Sequence, residues 1–202
     1  LDKTLKEKRP DVLIDFSSPN ALINSLPIIA DNKVNLVIGT TGFNNSQIEK
    51  IKSFQEKIGI IYAPNLTLGI NLLLTITKLI SKVWPEADVD IVESHLRDKR
   101  DIPSGSAKLL AQAASNRKKK ISTNTEDSRG DNSVIVHSIR SGNMRSKHQV
   151  IFSGKTQILT ITHEELYKSA YAVGAIKAAR WIKDRKGFHK MEEVEGLDKL
   201  GI

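Results

Sequence analysis

Three stretches decide the fold: Val12-Leu13-Ile14-Asp15-Phe16-Ser17-Ser18-Pro19-Asn20, Leu36-Val37-Ile38-Gly39-Thr40-Thr41-Gly42 and Ile60-Ile61-Tyr62-Ala63-Pro64-Asn65. Each is a short apolar run that stops in small, polar or glycine-bearing residues. Continuous apolar runs of this length, without alternation, read as parallel strands buried on both faces. Ahead of them, Leu1–Lys8 reads as a helix ended by Arg9-Pro10, and Ser17–Asn20 reads as a turn carrying a helix N-cap. Between them, Ala21–Asp31 and Ser46–Ile58 read as helices. The second has Ser46 as N-cap with Glu49 three residues on, and Gly59 stands where a left-handed C-terminal cap is wanted. Strand and helix alternating at this spacing predict a parallel, doubly wound sheet. Ligands of such sheets bind beyond the carboxyl ends of the strands. Those ends here are Phe16–Pro19, Gly39–Gly42 and Ala63–Asn65.

The remainder of the chain has a different rhythm. Leu68–Trp84 reads as a long helix stopped by Pro85, and Val89–Glu93 as a strand. Ser94–Ser106 is polar and irregular, and Ser106–Arg117 reads as a helix. Val134–Arg140, Gln149–Ser153 and Thr156–Thr162 read as strands, the last two joined at Gly154-Lys155 as a hairpin. Tyr167–Lys183 reads as a helix, with Gly187 just beyond it. The polar patch Asn116–Asp131 reads as a loop. The fold class expected is α/β: a partial Rossmann-like parallel sheet, followed by an α+β part with a mixed sheet.

Composition narrows the function classes. The chain has 202 residues, a net charge of +8 and no cysteine, which rules out disulfide and thiolate chemistry and fits a reducing cytoplasm. No apolar run approaches the ~20 residues that span a membrane, and no signal-peptide pattern opens the sequence. The positive charge suits nucleic acid or a small anion. Its densest run, Arg117-Lys118-Lys119-Lys120, has no interleaved aromatics, and aromatics make up only 5% of the chain, so a base-stacking platform is not expected.

The densest chemistry lies in Glu93-Ser94-His95-Leu96-Arg97-Asp98-Lys99-Arg100-Asp101-Ile102-Pro103-Ser104-Gly105-Ser106-Ala107. Ser104-Gly105-Ser106 at a helix start offers backbone N–H groups and hydroxyls to a carboxylate or phosphate. Lys99 can balance an anion as a point charge. His95 can give or take a proton near neutral pH. A capped helix with surface charges accounts for the same residues. Arg140–His148, with two arginines and Gly142, is either an anion-holding turn or a basic surface turn. His163 at a strand end reads as structural or superficial. No histidine pair has metal-ligand spacing on one element, and no metal is expected.

Taken together, these residues resemble the 4-hydroxy-tetrahydrodipicolinate reductase (dihydrodipicolinate reductase) family. The matching stretches are Asp11–Pro19, the Gly-Thr-Thr-Gly-Phe box Gly39–Phe43, and the Ala-Pro-Asn box Ala63–Asn65 leading to Gly69 and Asn71. Further on they are the Glu93–Ala107 signature, Arg140-Ser141-Gly142, His148, Ile161-Thr162-His163, and Gly174-Ala175 with Ala178–Trp181. The resemblance implies hydride transfer from NADH or NADPH to a cyclic dicarboxylate of lysine and diaminopimelate biosynthesis. His95 would be the proton donor, Lys99 the essential cation, and Ser104, Gly105 and Ser106 the carboxylate turn. Gly39, Thr40, Thr41, Ala63, Pro64 and Asn65 would line the nicotinamide. It further implies a cytoplasmic homotetramer with no nucleic-acid or membrane partner. Residues 1–64 and 184–202 would form the dinucleotide-binding domain, and 65–183 the substrate-binding and tetramerisation domain. Two departures stand inside the signature: Leu96 replaces the family's second histidine, and Ser106 replaces threonine. The family's opening strand and G-x-x-G-x-x-G turn have no counterpart here, so a first βα unit is expected to be missing. The alternative reading is a catalytically impaired or regulatory carboxylate-binding homologue.

Overall fold

The computed structural model describes residues 1–115, 120–123 and 133–200. It divides into two compact units, Leu1–Thr67 with Ser169–Leu200, and Leu68–Lys168. In chain order the first unit opens with α1 (Asp2–Lys8), β1 (Val12–Asp15), α2 (Pro19–Asp31), β2 (Asn35–Ile38), α3 (Asn45–Lys52) and β3 (Gly59–Tyr62). The second holds α4 (Leu68–Val83), β4 (Asp88–His95), α5 (Gly105–Ser115), β5 (Lys120–Ser122), β6 (Ser133–Arg140), β7 (Lys147–Ser153) and β8 (Ile158–Glu164). The chain then returns to the first unit with α6 (Ser169–Ile182), β9 (Gly187–His189) and α7 (Met191–Val194).

The sheet of the first unit runs β1-β2-β3-β9, all parallel. Every residue of β2 is buried, as its unbroken apolar reading demands. Leu36, Ile38 and Ile60 pack under Leu22, Leu26 and Ile29 of α2, while Val37 and Ile61 meet Ala175, Ala178 and Ile182 of α6. Each such leucine or isoleucine, fully buried, contributes roughly 1.5–3 kcal/mol. The helix 169–182, expected with the second unit, therefore belongs to the first, because its small-residue face lies on this sheet.

Two cap expectations are corrected. The N-cap of α3 is Asn44, not Ser46, in a reciprocal box with Gln47, and the helix stops at Lys52 rather than Ile58. Gly59 is not a helix cap but the first residue of β3. A Cβ there would stand 2.2 Å from the Arg185 carbonyl oxygen, so glycine serves a close backbone approach. β9 is paired with β3 through Gly187, Phe188 and His189 and had no sequence expectation.

The second sheet runs β5-β6-β4-β7-β8, with β4 parallel to β6 and antiparallel to β7. One face, carrying Val89, Ile91, Val134, Val136, Val150 and Phe152, is covered by α4 and α5 residues such as Ile70, Leu73, Leu110 and Ala114. β4 is longer than expected and includes Ser94 and His95, and His148 lies within β7 rather than in a turn. Arg117–Lys119 of the basic run and residues 124–131 of the polar patch lie outside the described residues.

Candidate active site

In the first unit, the carboxyl ends of β1, β2 and β3 come side by side because the strands are parallel neighbours. Asp15 joins two of them. Its carboxylate accepts from the Ser17 hydroxyl at 2.8 Å and from Thr40, and its carbonyl accepts from the Gly39 and Thr40 N–H groups at 2.9 and 3.2 Å. Thr40 is thus buried and structural, while Thr41 is exposed. Gly39 presses on the Phe16 ring, where a Cβ would come within 2.3 Å. Asn65 is buried, and its side-chain oxygen accepts from the Thr67 N–H and hydroxyl at 2.9 Å each. Ala63 is buried and Pro64 exposed. The exposed Phe16 ring, Thr41 and Pro64 give this edge an apolar and polar surface suited to a flat ring, at the position where doubly wound sheets take nucleotides.

In the second unit, the covered face of the sheet turns from apolar to ionisable along its strands. Val89, Ile91, Glu93 and His95 share one face of β4 by the two-residue period. Beside them stand Val134, Val136, Ser138 and Arg140 of β6 and Phe152, Val150 and His148 of β7, with His163 of β8 next to His148. Glu93 is fully buried. One of its oxygens, Oε1, accepts from the Ser104 N–H at 3.0 Å, the Ser138 hydroxyl at 2.6 Å and the Arg140 guanidinium at 2.9 Å. The other, Oε2, lies 3.1 Å from His95 Nδ1 and 3.9 Å from His148 Nε2. The His95 contact is one of distance only, since its alignment falls short of a hydrogen bond. Burial alone pushes the Glu93 carboxyl up, but the close His95 ring and the donors Ser104, Ser138 and Arg140 outweigh it and hold it well below the usual range.

The neighbouring groups complete the network. His95 Nε2 lies 3.1 Å from the Ser146 hydroxyl, and its ring meets His148 edge-on at 5.2 Å. Burial, then the neighbouring His95, pushes His148 down to about 4, so it is neutral at pH 7. Ser104 caps α5 by accepting from the Ala107 N–H at 3.2 Å and pairs with His148 Nε2 at 3.2 Å. Glu93 approaches His148 from that same nitrogen, so the trio lacks the geometry of a hydrolytic triad, which needs the acid on the opposite ring nitrogen. Gly105 has open space at its Cβ position, which leaves the α5 start approachable. Lys99 pairs with Asp101 at 2.8 Å, and its carbonyl accepts from Arg140. His163 lies over Gly69 at the start of α4, where a Cβ would come within 2.3 Å of its ring, and burial lowers its affinity for a proton.

The structure thus brings His95 to Glu93, Arg140, Ser104 and His148. Glu93 and Ser138 had no assigned role in the sequence, and Arg140, Ser146 and His148 were read only as part of a turn that holds an anion or lies on the surface. The missed signal was alternation: a β4 extended by two residues puts Glu93 and His95 on one face. Glu93, His95 and His148 also place one ligand-type atom each within 4.8 Å of one another. Arg140 already neutralises that carboxylate, and we read the group as a hydrogen-bonded network.

A family model described as "Dihydrodipicolinate reductase, N-terminus" matches residues 1–66, and its partner, "Dihydrodipicolinate reductase, C-terminus", matches residues 69–194. The chain belongs to the dihydrodipicolinate reductase family. A 4-hydroxy-tetrahydrodipicolinate reductase of Rickettsia peacockii (strain Rustic) is 34% identical over 93% of this chain and 80% of its own length. One of Buchnera aphidicola subsp. Cinara cedri is 39% identical over 100% of this chain and 77% of its own. The solved dipicolinate-bound dihydrodipicolinate reductase from Paenisporosarcina sp. TG-14 superposes with a TM-score of 0.80 at 26% identity, covering 95% of this chain and 76% of that one. As a dihydrodipicolinate reductase family member, the chain is a pyridine-nucleotide oxidoreductase of α/β fold. Among the described residues no helix is long and apolar enough to cross a membrane.

Proposed function

We propose that this chain reduces 4-hydroxy-tetrahydrodipicolinate to tetrahydrodipicolinate, with NADH or NADPH as hydride donor, in lysine and diaminopimelate biosynthesis. Replacing the ring hydroxyl by hydrogen consumes one hydride and one proton and releases water. A bound nicotinamide supplies the hydride from its C4. The observation that carries the proposal is the cluster around Glu93: a histidine, an arginine and a helix start gathered by one buried carboxylate beside Lys99.

His95 supplies the proton as negative charge develops on the substrate ring. Lys99 leaves Asp101 to meet a substrate carboxylate, and the turn Ser104, Gly105 and Ser106 at the α5 start holds that carboxylate through the Gly105 and Ser106 N–H groups, the Ser104 N–H being committed to Glu93. Gly39, Thr40, Thr41, Ala63, Pro64 and Asn65 form the nicotinamide edge. Thr40 does so as a brace, since its hydroxyl is committed to Asp15.

The protein is proposed to work in the cytoplasm as a homotetramer. Supporting assembly, the second sheet's other face carries Val92, Ile139, Ile151 and Ile158, away from the α4 and α5 residues that cover the first face among the described residues, and Ile158 is 67% exposed.

Calorimetric titration with pyridine-2,6-dicarboxylate, a flat analogue of the product, tests the site. Lys99→Ala is expected to weaken binding by about 1.5–3 kcal/mol, the worth of a charge-assisted contact. An unchanged dissociation constant removes Lys99 from the site.

A further inference from the structure

We propose that Glu93 is a positioning residue for His95: its Oε2 holds the Nδ1 side of the ring, fixing which nitrogen carries the proton and which way the other faces. The inference rests on His95 as proton donor. Oε1 is saturated by three donors, Ser138 and Arg140 of β6 and the Ser104 N–H at the α5 start, so the carboxylate cannot swing. Among the described residues Oε2 has no aligned partner, and it stands 3.1 Å from a ring nitrogen that also has none. Two buried polar atoms facing each other in this way are costly unless they share a proton. An ionised carboxylate only accepts, so that proton sits on His95 Nδ1. Nε2 then points outward to the Ser146 hydroxyl, which donates to it at 3.1 Å.

The surroundings preserve this arrangement. The other groups facing His95 are the neutral His148 ring of β7 and Arg140 of β6, whose guanidinium lies on the far oxygen of Glu93. Arg140 also accounts for why Glu93 is ionised at all in a fully buried position. The same carboxylate accepts from the Ser104 N–H, so the proton donor and the α5 start, proposed to hold a substrate carboxylate, are registered against one rigid group. A carboxylate behind a histidine holds the tautomer that leaves Nε2 free to take up a proton and stabilises the doubly protonated ring, which is the form that then gives the Nε2 proton to the substrate and returns to the neutral Nδ1–H ring.

Nitrogen-15 NMR of the unaltered chain reads this directly, with the His95 signals assigned by their loss in His95→Asn. The expected neutral form carries its proton on Nδ1. A neutral His95 protonated on Nε2 overturns the proposal. Glu93→Gln, which keeps the shape but can donate toward Nδ1, is expected to shift the proton to Nε2 and to lower kcat by about 10²–10⁴, with KM within about threefold. Glu93→Asp, which keeps the charge, is expected to recover part of that loss. A kcat unchanged in Glu93→Gln also overturns it. Should Glu93→Gln not fold, the tautomer in the unaltered chain and in Glu93→Asp decides the matter. An Nδ1-protonated His95 in a chain that does not reduce the dicarboxylate upholds the positioning and sinks the proposed reaction instead.

Discussion

Leu96 follows directly after His95, and its side chain is 40% exposed at the point where the chain leaves β4. Its neighbours are held: the Arg97 N–H donates to the Gly142 carbonyl and the Ser141 N–H to that of His95, at 3.0 and 3.4 Å. A histidine at position 96 would add a hydrogen-bond donor beside the proposed carboxylate site at little steric cost. One such contact to a charged group is worth about 1.5–3 kcal/mol, roughly ten- to a hundredfold in affinity. Leu96→His is therefore expected to lower KM for the dicarboxylate and leave kcat within a fewfold, whereas His95→Ala lowers kcat strongly. Steady-state kinetics on both variants checks this. A KM for Leu96→His that stays put or rises means that another group already fills the role.

At the scale of elements, β2 and β3 are tied to the returning chain by one side chain. The amide of Asn35 donates to the Ile182 and Lys183 carbonyls at 2.8 Å each, and its oxygen accepts from the Gly59 N–H at 2.8 Å. Asn35→Ala leaves buried carbonyls and an N–H unpaired and is expected to cost about 1–3 kcal/mol. Gly59→Ala drives a methyl into the Arg185 carbonyl oxygen and is expected to cost a similar amount, about 1–3 kcal/mol. Urea unfolding midpoints measure both, and wild-type midpoints would refute the clamp. The strands themselves were legible because a sheet covered on both faces needs unbroken apolar runs. The clamp was not, since Asn35 meets partners far along the chain that no local pattern announces. Likewise α3 ended early. The apolar spacing after Lys52 continues, but the residues there turn instead of extending the helix, and only tertiary contacts decide between the two.

Across the molecule, Glu93, His148 and His163, buried groups whose proton affinity folding lowers, are gathered in the second unit. His148 takes a proton near 6.5 when unfolded but only near 4 when folded, so the unfolded state binds more protons between these values. Stability is then expected to rise with pH across that window and to fall by on the order of 3 kcal/mol as pH drops from about 6.5 to 4. Glu93, held ionised, contributes stability that is present above the ordinary carboxylate range and is lost as pH falls below it. Thermal melts from pH 7 to pH 4 check the sum, and His148→Gln should flatten the upper part of the slope. A slope unaltered by that change would mean His148 is not the group responsible. The signature residues His95, Lys99 and Ser104–Ser106 were legible as a stretch of sequence. The acid that organises them was not read as such, because its donors come from β6 and from the α5 start. Strand pairing brings these together at separations that sequence spacing does not encode.

The first unit is completed only by residues that follow the whole of the second, since β9 pairs with β3 after residues 68–168 have intervened. Synthesis runs at about 5–20 residues per second, so for several seconds on the ribosome β3 has an open edge with no neighbour to close it. Open edges are templates for pairing with other chains. The second unit, contiguous in sequence, has no such wait. Protease digestion of ribosome-stalled chains that have emerged to about residue 170 should therefore find residues 68–168 resistant and residues 1–67 still cleavable. Early protection of residues 1–67 would show that α1 to β3 hold together without their late strand.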